Sequence, residues 1–129
     1  MSPLLFIGVA VAGGFGAALR FLLDRAVLAR TSGSYPWGIT TVNLTGSFLL
    51  GALTGATQSL TVSPPWVAIL GVGLLGGYTT FSAVAVEAAL ALERRDYRGA
   101  ALRGGAQLVV AVILAALGLA VGAVLTTAF

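Results

Sequence analysis

The chain has 129 residues, enough for one domain, and its composition is that of a membrane protein. Hydrophobic residues make up 58% of it and charged residues only 9%, whereas an ordinary soluble domain is about 25% charged. The absence of cysteine and histidine excludes thiolate chemistry and removes the usual proton shuttle and metal ligand.

Four apolar segments are each long enough, as a helix, to cross the ~30 Å hydrocarbon core of a bilayer. They cover residues 3–23, 37–57, 66–92 and 106–125, and short connections join them. The first segment lacks a preceding basic region, so we interpret it as a span and not as a signal peptide. We therefore predict an all-α membrane protein in which residues 1–129 form one domain of four transmembrane helices.

Small residues recur every four positions in the first two spans. They are Gly8, Ala12 and Gly16 in the first span and Ser47, Gly51 and Gly55 in the second. This spacing lines one helix face with small side chains, so that the backbone of another helix approaches closely. The pattern indicates a compact helix bundle or a dimer.

The second span also carries polar residues on one helix face, because Thr40, Asn43 and Ser47 are three and four positions apart. An asparagine within the hydrocarbon region is costly unless it has a hydrogen-bond partner. Asn43 either bonds to another helix or donates to a solute that passes through the membrane.

The third span contains Gly-Gly-Tyr-Thr-Thr-Phe-Ser at residues 76–82. Glycine is a poor helix former, and the side chains of Thr79, Thr80 and Ser82 compete for backbone hydrogen bonds. The segment predicts a helix break near the middle of the membrane, which is tolerated only inside protein or beside a watery cavity. Unwound segments of transporters coordinate cations through freed carbonyls, although a kink at a packing contact is the simpler alternative.

Phe81 lies within this predicted break. The positive edge of a phenyl ring faces an anion without supplying a full charge, and conduction requires sites that hold an ion weakly. The alternative is an ordinary aromatic side chain in the core. These residue types therefore indicate a path for a small anion that is held weakly.

All seven basic residues are arginines at the first and third connections: Arg20, Arg25, Arg30, Arg94, Arg95, Arg98 and Arg103. In a four-span chain these two connections lie on the same side of the membrane. Because basic residues in short loops favour the cytoplasm, we expect these connections inside and both termini outside. Arg20, near the end of its span, is also a candidate to attract anions to a vestibule.

Three motifs in order resemble the small bacterial fluoride channels of the Fluc (CrcB) family. They are GGFGAALRF at residues 13–21, PWGITTVNLTGSFLLG at 36–51, and GGYTTFS at 76–82, followed by Glu87. The resemblance extends over nearly the whole chain.

The resemblance implies a dual-topology, antiparallel dimer in the bacterial inner membrane that exports fluoride passively, with no enzyme chemistry. It implies two pores at the subunit interface and a central structural Na⁺ held by the backbone carbonyls of Gly76 and Thr79. Residues expected to border the anion path are Asn43, Thr80, Phe81 and Ser82.

This chain departs from the family pattern at two places. Val84 stands where the family usually has a second phenylalanine, and the fourth span has Gln107 but no serine or threonine before Thr126. The arginine distribution also predicts one fixed orientation. We therefore expect either a homodimer or a heterodimer, in which a related four-span protein of opposite orientation supplies the missing ring.

Two other functions remain open at this stage. A non-conducting accessory subunit agrees with Val84 and the apolar fourth span, but not with Asn43 and Phe81. A small multidrug transporter is expected to have a carboxylate within the first span, and here the first acidic residue is Asp24, at the end of that span.

Overall fold

A computed structural model describes residues 2–59 and 63–127, and within these ranges the chain is helical, without a β-strand. Its elements are α1 (Pro3–Leu28), α2 (Trp37–Ser59), α3 (residues 64–78), α4 (Ser82–Glu93) and α5 (Tyr97–Thr127). By length and composition, α1, α2 and α5 are each able to cross a membrane, and α3 and α4 together form a fourth span. The predicted all-α architecture with four spans is confirmed.

The helix ends differ from the predicted spans mainly at polar residues. Helix α1 continues past residue 23 to Leu28, and α5 begins at Tyr97, well before residue 106. The early start of α5 has a local cause, because the carboxylate of Asp96 accepts a hydrogen bond from the Gly99 N–H at 2.8 Å and caps the helix. The third connection therefore shortens to residues 94–96, and the second lies partly outside the described residues.

Helix α3 begins at the Pro-Pro pair, where the missing N–H groups have no helical partner in any case. Its middle part, Ala68–Leu75, has wide π-type turns, as does Ala101–Ala106 near the start of α5. Such turns hold an extra residue and are frequent beside functional sites.

Helices α1 and α3 meet backbone to backbone through glycines. A side-chain carbon at Gly16 would overlap the Leu74 carbonyl oxygen, and one at Gly77 would overlap the Gly13 carbonyl oxygen. The predicted small-residue face of the first span therefore serves packing within this chain.

Helices α2 and α5 form a second close pair, in which glycines of each helix contact carbonyls of the other. Gly55 lies against the Leu119 carbonyl oxygen, and in return Gly122 lies against the Ala52 carbonyl oxygen. The small residues of the second span therefore also form a packing face. Its partner glycines on α5 were not predicted from the sequence.

A buried arginine joins the two connections that carry basic residues. The Nη2 atom of Arg103 donates a hydrogen bond to the Ser34 carbonyl at 3.2 Å, and its Nη1 atom lies 4.0 Å from Asp96 Oδ2. The first and third connections therefore lie at the same end of the bundle.

Gly118 provides a test of the close contact between α2 and α5. Its Cβ position is blocked by the Phe48 carbonyl, whereas Gly14 has open space around it. We expect Gly118→Ala to destabilise the protein by about 1–3 kcal/mol through overpacking, measured as a lower thermal unfolding temperature in detergent. The matched variant Gly14→Ala should be neutral or slightly stabilising, and equal behaviour of the two variants would contradict the packing described.

Candidate functional site

The third span breaks where the sequence analysis predicted. Helix α3 ends at Tyr78 and α4 begins at Ser82. Thr79, between them, is extended, with φ −81° and ψ 158°. The Thr79 N–H still donates to the Leu75 carbonyl at 3.0 Å, and helical bonding resumes where the Ala85 N–H donates to the Phe81 carbonyl at 2.9 Å.

The side chain of Asn43 fills the gap in backbone hydrogen bonding at the break. Its Oδ1 atom accepts from the Thr80 N–H at 2.8 Å, and its Nδ2 atom donates to the Thr80 carbonyl at 2.8 Å. Asn43 is only 8% exposed, and both of these hydrogen bonds are partly buried. The amide thus satisfies both backbone groups of the residue at which the helix is interrupted.

This pairing leaves a backbone carbonyl without its helical partner. In an unbroken helix the Thr80 N–H would donate to the carbonyl of Gly76, four residues earlier, but here it donates to Asn43. Thr79 is extended, and no backbone N–H outside the helices donates to its carbonyl within the described residues. The carbonyl oxygens of Gly76 and Thr79 therefore suit a hard cation such as Na⁺, which prefers oxygen ligands.

A groove of about 450 Å³ lies beside the break, between α2, α4 and the start of α5. Its polar lining residues are Asn43, Ser47, Thr79, Thr80 and Gln107, and its apolar ones include Leu50, Phe81, Val84, Leu108 and Ala111. The groove is partly open to the surface of the chain.

Phe81 projects out of the chain and is 75% exposed. It does not serve as a core aromatic within this chain, which was the simpler interpretation of the residue. Ser82 is also exposed, and its hydroxyl lies 3.1 Å from the Thr80 hydroxyl. The ring and both hydroxyls are therefore together at the break.

The structure brings together most, but not all, of the predicted site residues. Asn43, Thr79, Thr80 and Phe81 all line the groove, and Ser82 adjoins it. Arg20 lies on α1, partly exposed, and is not a lining residue; Gly76 is likewise outside the groove wall. Their predicted roles as vestibule and cation-site residues stay predictions.

Gln107 was not among the predicted site residues, although it lines the groove. It is 6% exposed, and its Oε1 atom accepts from the Thr40 hydroxyl at 3.1 Å. The available signal in the sequence was a single amide at the start of an otherwise apolar span, opposite the polar face of α2.

A four-span protein with a helix broken beside a mostly apolar groove that carries a few amide and hydroxyl groups has the architecture of a membrane channel or transporter. Residues 7–119 match the family model described as CrcB-like protein, Camphor Resistance (CrcB). The chain is 44% identical over 122 residues to the fluoride-specific ion channel FluC 1 of Leifsonia xyli subsp. xyli, covering 95% of this chain and 89% of that relative. It is 38% identical over 120 residues to the fluoride-specific ion channel FluC of Bordetella pertussis, covering 92% and 91%.

The chain therefore belongs to the CrcB family, and the resemblance found in its motifs is confirmed. A further relative, from Caulobacter vibrioides, is 37% identical over 106 residues and is also named as a fluoride-specific ion channel. These names describe ion transport and not an enzymatic reaction, as the sequence analysis predicted.

The two hydrogen bonds between Asn43 and the Thr80 backbone lead to a prediction about stability. We expect Asn43→Ala to lower the free energy of unfolding by about 2 kcal/mol, because it leaves two partly buried backbone groups of Thr80 without a protein partner. Thermal unfolding in detergent measures this. Ser47→Ala is the matched control, since Ser47 lines the same groove one turn away. If both variants unfold at the wild-type temperature, Asn43 does not hold the break.

Proposed function

We propose that this chain is a subunit of a fluoride-selective channel that exports fluoride passively across the bacterial inner membrane. The groove at the break, bordered by Asn43, Thr80 and Phe81, is the observation that carries the proposal. It offers amide and hydroxyl donors and an aromatic ring but no lysine or arginine, as expected for a path that holds an anion weakly.

The proposed pore needs a second subunit, because the groove is incomplete in one chain. Irregular backbone within a membrane must be covered by protein or line a watery cavity, and here the break is flanked by the exposed residues Phe81 and Ser82. An antiparallel dimer would cover the break of each subunit and complete the wall of each groove.

A central Na⁺ is part of the same proposal. The carbonyls of Gly76 and Thr79 lack ordinary helical acceptor roles, which supports their use as ligands. Two carbonyls are too few to surround a hard cation, so further oxygen ligands must come from outside this chain. A second copy of the break, placed opposite, would supply two more.

The arginine distribution favours one fixed orientation for this chain, with the arginine-bearing end in the cytoplasm and both termini outside. To form an antiparallel dimer, a chain of fixed orientation would need a partner whose basic residues favour the opposite orientation. We therefore favour a heterodimer with a related four-span subunit, whose phenylalanine would take the place that Val84 leaves in the groove.

A non-conducting accessory subunit is the alternative function. Val84 is buried in the groove, and Leu108 and Ala111 line it from α5. These apolar residues offer an anion no hydrogen bond. The alternative predicts that changes to Phe81 leave fluoride transport by the assembled channel unaltered.

Phe81 therefore gives a direct test in liposomes. We expect Phe81→Leu to slow fluoride efflux about fivefold to tenfold, because the leucine lacks the positive ring edge, while stability is retained since the ring is exposed. Efflux is measured with a fluoride electrode for the protein alone and for the protein co-purified with a related four-span subunit. Phe6→Leu, another exposed ring on α1, is the control. Equal rates for both variants would favour the accessory role.

Orientation is testable because the chain has no cysteine. We expect Ser32→Cys, in the first connection, to react with a membrane-impermeant thiol reagent only after the cells are opened. Ser63→Cys, just before α3, should react in intact cells. Partial labelling of both variants from both sides would establish dual topology and would remove the argument for a heterodimer.

A further inference from the structure

Gln107 is a buried amide whose nitrogen has no hydrogen-bond acceptor among the residues that the structure describes. The side chain lines the groove and the residue is 6% exposed. Its Oε1 atom is bonded to Thr40, but its Nε2 atom donates to no described protein group. The nitrogen is not one of the enclosed side-chain atoms that lack a partner, so it reaches the surface of the groove, where it is a candidate contact for a ligand.

Thr40 determines which way this amide faces. Its hydroxyl lies 3.1 Å from Gln107 Oε1 and 3.4 Å from the Tyr35 hydroxyl oxygen. The Thr40 hydroxyl carries one proton and accepts others. Thr40 is the donor in both contacts, and its single proton favours the shorter one, to Gln107. The amide oxygen then faces α2, and the two N–H groups of Gln107 are left for the groove.

The side-chain amides of Asn43 and Gln107 differ in how many of their polar atoms already form hydrogen bonds. Both the oxygen and one N–H of Asn43 are bound to the Thr80 backbone. Gln107 uses only its oxygen. Thr40 and Asn43 are three residues apart on α2, so the Gln107 amide lies about 4.5 Å closer to the arginine-bearing end.

We propose that Gln107 donates hydrogen bonds to the anion in the groove, one step from the break toward the arginine-bearing end, and that Thr40 is its positioning residue. The proposal rests on the proposed fluoride path. It adds a hydrogen-bond donor on α5, where no hydroxyl-bearing residue lines the groove. It also assigns Asn43 mainly to the backbone and Gln107 to the ion.

The test compares fluoride efflux from liposomes for single variants, using whichever preparation, alone or with a related subunit, gives efflux for the wild type. Gln107→Leu should be about tenfold slower, since it removes a hydrogen bond to a charged group. Gln107→Glu should be at least as slow, because a carboxylate of the same size accepts where the amide donates. Gln58→Leu, at the exposed end of α2, should retain the wild-type rate.

Thr40 is tested by a pair of variants. Thr40→Val should slow efflux, because the amide loses the hydroxyl that orients it, and Thr40→Ser should restore the rate. A wild-type rate for Gln107→Leu would overturn the donor role, and one for Thr40→Val would overturn the positioning role. If Gln107→Leu does not fold, Gln107→Glu decides the same question.

A binding measurement separates this proposal from the proposed function. Thermal unfolding is recorded in sodium fluoride and in sodium chloride at equal concentration. The wild type could prove to conduct no fluoride in any preparation. If fluoride nevertheless raises its unfolding temperature, and Gln107→Leu abolishes that effect, the anion site is supported and the channel function is rejected. Absence of stabilisation in a non-conducting wild type would reject both.

Discussion

The two hydrogen bonds between Asn43 and the backbone of Thr80 are the interaction on which the rest of the site depends. A helix that breaks inside a membrane leaves polar backbone groups without water, and each such group costs about 1–3 kcal/mol if it stays unpaired. The Asn43 amide places a carbonyl oxygen and an N–H side by side, so its oxygen accepts from the Thr80 N–H and one of its two N–H groups donates to the Thr80 carbonyl, each at 2.8 Å. The break is thereby fixed against α2.

The shape and chemistry of the groove follow from that attachment. Because Thr80 is bound to α2, its N–H is withdrawn from Gly76, and the extended Thr79 directs the chain away from the axis of α3. The ring of Phe81 then projects outward, where it is 75% exposed. A single chain therefore presents a polar break, a free ring and a partly open groove. These three features together are the reason for proposing a second subunit.

Several features of the fold and site were predictable from the sequence. The four spans follow from length and hydropathy, and the break follows from the low helix propensity of Gly76-Gly77 and the hydroxyls after it. The early start of α5 was not predictable from hydropathy, because it depends on capping by Asp96 and on burial of Arg103 against Ser34. The partner of Asn43 was also beyond the sequence, since it lies 37 positions away.

Gln107 illustrates the same limit within the site. Its position at the start of an apolar span indicates a buried amide, but only the packing of α2 against α5 places it beside Thr40. Pairing between distant segments decides which of two amides remains free to donate, and no local pattern encodes it.

If ions pass along the groove, silver ions should reach a cysteine placed in its wall. Ala85 lines the groove, Val112 is an exposed residue of α5 that does not, and the chain has no cysteine of its own. We expect silver ions to stop fluoride efflux through Ala85→Cys and to leave efflux through Val112→Cys unaffected. Unchanged efflux through Ala85→Cys, with its thiol shown to remain unmodified, would mean that ions do not pass along the groove.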